Sequence, residues 1–289
     1  MHTRRAPKVS KSRKNRDSSR PKAKSVNVRA FLDTLQSSGR YAFTRKEALA
    51  ALGRSEAALK NALWRLSKAG RMVSPRRGFY VIVPPEYRAA GSIPPSWIIR
   101  DLMAYLGRPF YVGLLSAAAF HGAAHQPPHE FQVVTDRPLR ALEMGRARLR
   151  FVKKAHLERV PTVGVKTPTG EIPVSSPEAT ALDLVRYPAH AGFLSNVATV
   201  LKELAERLDP QALVRAAEAD GEAAYAQRLG YLLDHIGHAS LAAPLAEWVR
   251  AQAPRVTPLR PDRPITGAPR ASRWRVAVND VIEMDRTGA

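Results

Sequence analysis

The first regular pattern of apolar and polar positions begins at Val28 and predicts a helix. Apolar side chains recur there at a spacing that places them on one helical face: Val28, Phe31, Leu32 and Leu35. Gly39, which follows two serines, ends this helix. Two shorter helical patterns follow over residues 45–52 and 56–69, and each is ended by a glycine. The pattern therefore predicts three helices within the first 70 residues.

The two shorter helices carry start signals of their own. Thr44 and Glu47 have the spacing of a capping box, in which the Thr44 hydroxyl accepts from the Glu47 amide and the Glu47 carboxylate accepts from the Thr44 amide. Ser55 stands where it can cap the third helix. Two short helices joined by a three-residue turn, after a longer first helix, indicate a helix-turn-helix unit.

The third helix divides into an apolar stripe and a polar face. At 100° per residue, one stripe collects the residues expected to pack on the first two helices: Leu59, Ala62, Leu63, Leu66 and Ala69. The opposite side collects these: Arg54, Ala57, Lys60, Asn61, Trp64, Arg65 and Lys68. That face holds no acid, although Glu56 stands near its start, and such a face is typical of a helix that enters the major groove of DNA.

Residues 71–84 read as two short strands around a turn that contains Arg76 and Arg77. A hairpin directly after a recognition helix is the wing of a winged helix, and its arginines are suited to phosphate or to the minor groove. Trp64 either covers this wing or touches the DNA backbone, and the first is favoured. The full predicted DNA-contacting set is Thr44, Arg45, Arg54, Ser55, Lys60, Asn61, Trp64, Arg65, Lys68, Arg76 and Arg77.

The rest of the chain mixes short strands with helices. Prolines at 84–85 and 94–95 bracket a connector, after which strands are predicted near residues 110–112, 130–135, 148–153, 160–166 and 171–174. Two helices are predicted among these strands, at 97–106 and 114–122. Ser176 and Pro177 begin a helix, and further helical patterns cover 193–208, 210–219, 223–236 and 241–252. After a loop over 254–273, residues 274–279 and 281–284 predict a returning strand and a hairpin about Asn279 and Asp280.

The predicted fold is α+β, in three parts. Residues 1–25 form a disordered basic arm, residues 26–88 a winged helix-turn-helix, and residues 89–289 a mixed α/β domain whose helical part covers about 176–252. No internal repeat is found.

Charge distinguishes the two ends of the chain. The 289 residues contain 46 Lys and Arg against 25 Asp and Glu, a formal net charge of +21. Residues 1–25 carry ten basic side chains and one acidic, and residues 26–85 carry eleven and three. The excess at the N-terminal end indicates a polyanion as partner, and nucleic acid fits better than a membrane because the arm has no apolar anchors.

Several classes of function are excluded by composition. The chain has no cysteine, which rules out disulfides, thiolate metal sites and cysteine nucleophiles and fits a reducing cytoplasm. No apolar stretch approaches the roughly 20 residues that span a bilayer, and the N-terminus lacks the apolar core of a secretory signal.

Catalytic and metal chemistry find little support in the sequence. His121, His125 and His129 recur every four residues, but two prolines interrupt any helix between the last two, so structural or exposed histidines are favoured over a metal site. A nuclease core would use Asp136, Glu143 and the basic stretch 148–154, with Asp136 or Glu130 essential for turnover. It lacks the acid-x-Lys pattern that such sites use, since Glu171 is followed by Ile and Pro. No phosphate-binding loop, dinucleotide fingerprint or serine nucleophile elbow is present, and no cofactor is expected.

A second basic cluster lies in the body of the chain. It contains Arg137, Arg140, Arg146, Arg148, Arg150, Lys153 and Lys154. The favoured interpretation of this cluster is a solvated face, and the alternatives are contact with flanking DNA or with an acidic partner.

The order of these segments resembles the AbiEi antitoxins of bacterial type IV toxin–antitoxin systems. The resemblance covers about residues 28–285. It rests on the wing sequence RRGFYVIVPPEY, on DLMAYLG, on YVGLLSAAAFHGAAH at 111–125, on SPEATALDL at 176–184 and on WRVAVN at 274–279. The basic arm is not part of that pattern.

The resemblance implies a bacterial, non-enzymatic protein of abortive infection and phage defence. Its winged helix would bind inverted repeats in the promoter of its own operon and repress it. Its C-terminal domain would counteract a toxin of nucleotidyltransferase type encoded next door, through residues that the family does not specify.

Two other functions remain open from the residues alone. One is a winged-helix regulator whose body senses a small molecule, and the other is a DNA-directed nuclease.

Overall fold

The computed structural model describes residues 27–123 and 128–283. Its first unit contains, in chain order, helix α1 (Val28–Ser37), strand β1 (Ala42–Thr44), helices α2 (Arg45–Leu52) and α3 (Glu56–Lys68), and strands β2 (Met72–Arg76) and β3 (Phe79–Ile82). The strands form an antiparallel sheet in the order β1-β3-β2. Three helices and a hairpin joined by β1 form a winged helix, as the sequence predicts; the expected arm at 1–25 lies outside the described residues.

Local signals set the helices of this unit. Both hydrogen bonds of the capping box between Thr44 and Glu47 are present at the start of α2, and Gly53 ends that helix in the left-handed conformation (φ 58°). Strand β1, which the sequence analysis missed, has only three residues. It forms because its backbone pairs with β3 and the Phe43 ring enters the core between the helices and the sheet.

A six-stranded sheet lies at the centre of the remaining chain. Its elements, with the helices between them, are α4 (Ile99–Leu106), β4 (Phe110–Val112), α5 (Leu114–Phe120), β5 (Phe131–Thr135), β6 (Leu142–Met144), β7 (Ala147–Lys153), β8 (Thr162–Thr167) and β9 (Gly170–Ser175). The strand order is β6-β7-β5-β4-β9-β8, with β5/β7 and β4/β9 parallel and the other neighbours antiparallel. The sheet is mixed, which agrees with the predicted α+β class.

Two apolar layers cover the sheet. One face, with Val134 and Val152, packs on the helical layer α6 (Pro177–Arg186), α7 (Phe193–Leu204), α8 (Pro210–Asp220), α9 (Ala223–His235) and α10 (Ala243–Ala251). The other face, with Val133 and Phe151, packs on α4 and on the back of the winged helix, where Val81 belongs to the same buried cluster. The winged helix is thus anchored to the sheet by shared apolar contacts, and the boundary at residue 88 remains a prediction.

The predicted returning strand is much shorter than expected. Strands β10 (Thr257–Pro258), β11 (Arg270–Ala271) and β12 (Val276–Ala277) form a small sheet of their own, in which β12 lies in the middle. The hairpin turns at residues 272–275, and residues 281–283 form no strand, so the prediction of a hairpin about Asn279 and Asp280 is wrong. The Asn279 side chain instead bonds the backbone of the preceding loop at Arg260.

Within the described ranges no helix is long and apolar enough to cross a bilayer.

Candidate nucleic-acid interface

Helix α3 buries one stripe and leaves a basic face in solvent. Leu59 and Leu63 are 1% and 5% exposed. Exposed residues of the polar face are Ala57, Lys60, Asn61, Trp64, Arg65 and Lys68, with Arg54 half-buried just before the helix. Ala69, placed on the buried stripe by its spacing, is exposed because it caps the end of α3 beyond the last residues that pack on α2.

The charge of this face is not cancelled by its neighbours. Glu56, the acid at the start of α3, is held by Arg45 at 3.0 Å between Oε2 and the guanidinium. Arg45 is therefore paired, unlike Lys60, which makes no ion pair within 27–123 and 128–283. Arg65 donates from Nε to the backbone oxygen of Asn61 at 3.3 Å, which leaves its terminal nitrogens facing solvent. The face presents cations without a nearby acid.

Thr44 and Ser55 serve first as helix caps. The Thr44 hydroxyl accepts from the Glu47 amide at 3.2 Å, and the Ser55 hydroxyl accepts from the Ala58 amide at 3.3 Å. The Thr44 amide donates to Glu47 in return. Burial raises the pKa of the Glu47 carboxyl, but hydrogen bonds from Arg40 and then from Thr44 outweigh it and hold that pKa below its usual value.

Trp64 does not pack on the wing, so that expectation is wrong. Its side chain is 61% exposed, and the ammonium of Lys68, one turn further on, lies 5.9 Å from its ring centroid. Trp64 lies five positions after buried Leu59, which places its side chain about 140° around the helix from the packed stripe. The ring belongs to the exposed face of α3.

The wing turns at Arg77 and Gly78, and a residue of α4 holds it from behind. Gly78 has a left-handed φ of 83°, and a Cβ there would come within 2.8 Å of the Tyr105 hydroxyl. That hydroxyl donates to the backbone oxygen of Arg77 at 2.8 Å. Arg77 is exposed, whereas Arg76 is half-buried and its Nε has no hydrogen-bond partner in the described part of the chain. Sequence reasoning missed Tyr105, since nothing in its local pattern links it to residue 77.

Four charged side chains between the sheet and the helical layer are largely buried and form ion pairs with one another. Lys154 Nζ lies 2.7 Å from Asp183 Oδ1 and 3.0 Å from Asp220 Oδ1, and its side chain is 5% exposed. Tyr111 donates to the other Asp183 oxygen at 2.7 Å. Arg186 donates to Asp220 at 2.8 Å. We call these five residues the buried charge network.

The pKa values of two members of this network, Tyr111 and Arg186, are raised, and the causes differ. Burial, and then the adjacent Asp183 carboxylate, raise the pKa of Tyr111 far above its usual value, so its hydroxyl keeps its proton and donates. Burial opposes the charge of Arg186, but the hydrogen bond and charge of Asp220 outweigh it and raise the pKa of the guanidinium.

The predicted second basic cluster does not form one surface. Arg148 and Arg150 both pair with Glu130, at 3.0 and 2.8 Å, and Lys154 belongs to the buried charge network. Because its side chain points into the helical layer, Lys154 offers nothing to an outside partner.

The candidate catalytic and metal-binding residues do not lie close to one another. Glu130 precedes β5 and Asp136 follows it, which puts them roughly 17–20 Å from each other along the strand. The His121 Nε2 lies 2.7 Å from the Ser175 backbone oxygen, His129 is exposed, and His125 lies outside the described residues. Among the described side chains, no group of three or more His, Asp or Glu converges as metal ligands.

Comparison with solved structures shows the same fold elsewhere. The chain resembles the RV2827C protein from Mycobacterium tuberculosis at a TM-score of 0.60 and 17% sequence identity, over 85% of this chain and 89% of that one. No curated protein matches the sequence.

A family model gives a more specific result. Residues 111–235, from β4 to the end of α9, match the model described as the AbiEi antitoxin C-terminal domain, and this segment contains the whole buried charge network. Over residues 111–235 the chain is therefore similar to the C-terminal domain of AbiEi antitoxins.

Proposed function

We propose that the protein is the antitoxin of a bacterial toxin–antitoxin pair and that it represses its own operon through the winged helix. The observation that carries the DNA-binding part is the unpaired cationic face of α3. Lys60 and Arg65 stand exposed there, and the one acid at the start of the helix is bound to Arg45. A helix with such a face fits the major groove, where Asn61 suits adenine and arginine suits guanine or phosphate.

The wing supplies the second contact. Arg77 is exposed at the turn, and half-buried Arg76 lies next to it, so a phosphate of the DNA backbone would bind at this turn. The hydroxyls of Thr44 and Ser55 accept capping bonds, and each keeps a hydrogen for a phosphate at the start of its helix. The remaining members of the predicted interface are Arg45, Arg54, Trp64 and Lys68.

Operator binding is tested by fluorescence anisotropy with the promoter upstream of the gene, against a scrambled duplex of equal length. If each protomer neutralises about five phosphates, log affinity falls with log salt at a slope of about −4 to −5. Equal affinity for both duplexes would refute the operator claim while leaving nonspecific DNA binding in place. Inverted repeats in the promoter would let two protomers bind symmetric half-sites.

The antitoxin part is supported by the match of residues 111–235 to the AbiEi antitoxin C-terminal domain. The partner proposed for it is a toxin of nucleotidyltransferase type. The test is co-expression with the neighbouring reading frame, with growth as the readout. The full chain is expected to restore growth, and so is the full-length variant Lys60→Ala with Arg65→Ala, because both substitutions lie on the exposed face of α3. Failure of the full chain to rescue growth would refute this part without touching DNA binding.

A further inference from the structure

A depression of about 410 Å³ opens beside the C-terminal end of α5. Its walls are largely apolar and come from separate parts of the chain: Pro95, Ala119, Phe120, Phe131 and Ala147. Phe120 is 39% exposed, which is unusual for a phenylalanine at the end of an otherwise buried helix. We call this depression the hairpin pocket, since the turn of the β6–β7 hairpin forms one side of it.

Two arginines stand at the hairpin pocket. Arg146 is exposed, and its side chain makes no hydrogen bond or ion pair among the described residues. Arg148 is 47% exposed and lies 3.0 Å from Glu130. Glu130 also faces the pocket, but both of its oxygens accept from Arg150, at 2.8 and 3.0 Å. The acid is thus engaged, and the pocket retains an excess of positive charge; His129 is the remaining titratable group on its lining.

Apolar walls with cations at one side fit a particular ligand chemistry. A volume near 400 Å³ lies at the small end of ligand sites in proteins and accommodates a ring with a few substituents. Nucleic acid would present phosphates and sugars to Phe120 and Phe131, which gives their apolar surface no partner. A compact organic anion buries its apolar body against the two rings and places its charge on the guanidinium groups.

The elements that line the pocket also contact the winged helix. Strand β6 packs beside β2 of the wing, and the Arg146 amide donates to the Ala90 backbone oxygen at 2.9 Å. A Cβ on Gly145 would come within 2.4 Å of that same oxygen, so the hairpin and the connector are in close contact. On the other wall, Pro95 begins the turn whose Trp97 ring packs on Tyr41 at 5.1 Å.

We propose that the hairpin pocket binds a small organic anion with an apolar body, a carboxylate or a phosphate ester, and that its occupancy changes the affinity of the winged helix for DNA. The second half rests on the proposed DNA-binding function. The first half does not, and it is measured without DNA.

Binding is measured by fluorescence of the full chain with 1-anilinonaphthalene-8-sulfonate, an aromatic anion, and with neutral N-phenyl-1-naphthylamine. The anion is expected to bind at least fivefold more tightly. The double variant Arg146→Gln with Arg148→Gln is expected to weaken it at least fivefold, and Phe120→Ser to weaken both probes. Arg137→Gln, an exposed arginine outside the pocket, is the matched control. Equal binding by all variants, with unchanged circular dichroism, would overturn the site.

Competition identifies the source of the anion. Displacement by benzoate and not by AMP assigns a carboxylate, and the reverse assigns a phosphate ester. If neither competes at millimolar concentration while an acidic pentapeptide with a central phenylalanine does, the pocket binds polypeptide and the small-molecule proposal fails.

The effect on DNA is measured last, as affinity for the promoter with and without saturating anilinonaphthalenesulfonate. A change of threefold or more in the wild type that disappears in the double arginine variant is expected, and no change would overturn the regulatory half. Without the probe, the double variant should bind DNA as the wild type does. A loss there would assign both arginines to DNA instead, whereas absence of all promoter binding by the wild type would count against the proposed function and not against the site.

Discussion

Lys60 on α3 and Lys154 after β7 are the same residue type in opposite surroundings. Lys60 is exposed and makes no ion pair in the part of the chain that the structure describes, whereas Lys154 is almost fully buried between Asp183 and Asp220. A cation left unpaired on a surface retains its field for a ligand, while a buried cation would be too costly without its carboxylates. Within the described residues the chain thus has one set of cations that is exposed and unpaired on α3 and another that is buried and paired beneath the helical layer.

The largest loss of stability is expected from removing one carboxylate of the buried charge network. Asp183→Ala leaves Lys154 with one carboxylate and Tyr111 with none, and breaking a buried pair of this kind costs about 3–5 kcal/mol. Urea denaturation of the full chain measures the loss. The exposed acid Glu218 on α8 supplies the control, since Glu218→Ala is expected to stay within about 0.5 kcal/mol of the wild type. A loss below about 1 kcal/mol for Asp183→Ala would mean that water relaxes the network.

Substitutions on the exposed face of α3 are expected to have the converse effect, a loss of DNA binding without a loss of stability. Lys60→Ala with Arg65→Ala is expected to lower promoter affinity about 10- to 100-fold and to make the salt dependence shallower by about 1 for each phosphate that is no longer neutralised. The free energy of unfolding should remain within about 0.5 kcal/mol, because both side chains are exposed. Lys166→Ala, an exposed lysine on β8, should change neither quantity. Unchanged affinity of the double variant would show that α3 does not face DNA.

The helix cap at Ser55 tests how much local capping contributes to the stability of α3. Ser55→Ala removes the bond accepted from the Ala58 amide and is expected to cost about 1 kcal/mol of stability. Ser67→Ala, near the exposed end of the same helix, provides a matched control with no cap to lose. Thermal unfolding followed by circular dichroism distinguishes the two. Equal melting temperatures would indicate that the helix is fixed by its apolar stripe alone.

The smallest effect expected is a pH dependence of the capping box. Burial opposes ionisation of Glu47, but its hydrogen bonds from Arg40 and Thr44 lower the pKa of the carboxyl below the usual 4.5. A group whose pKa is lower in the folded state stabilises the fold above its unfolded pKa, and that contribution is lost as the pH falls below about 4.5. Glu47→Gln removes it.

Wild type and Glu47→Gln should therefore differ most in unfolding free energy at neutral pH, by about 0.2–1 kcal/mol, and converge once the pH falls below the folded-state pKa of Glu47. Urea titrations across this range follow the difference. A gap that widens with acidification would contradict the assigned direction.

Sequence reasoning predicted best where a signal was local. The capping box, the serine cap and the glycine after α2 fixed both short helices to within a residue, because each signal acts on backbone groups a few residues away. The stripe of α3 was likewise correct apart from Ala69 at its end.

The strands and contacts that could not be predicted from the sequence depend on residues that are far apart in the chain. Strands β1 and β6 have three residues each and exist only because β3 and β7 pair with them. Tyr105 meets the wing across 28 positions of sequence. Lys154 lay within a run of basic residues and was grouped with them, although Asp183, a charged residue inside the apolar run of residues 179–185, was a signal that a buried partner was needed.

Trp274 bears on how the protein can be divided. The ring is buried over Gly230 of α9, where a Cβ would come within 2.0 Å of it, and its Nε1 donates to Asp234 at 2.7 Å. The family match ends at residue 235, so a fragment cut at that point would lose the ring and leave an apolar hollow over α9. The smallest unit that keeps this apolar core closed must extend through residue 277, so any fragment of this domain has to include strand β12 as an integral part of the core.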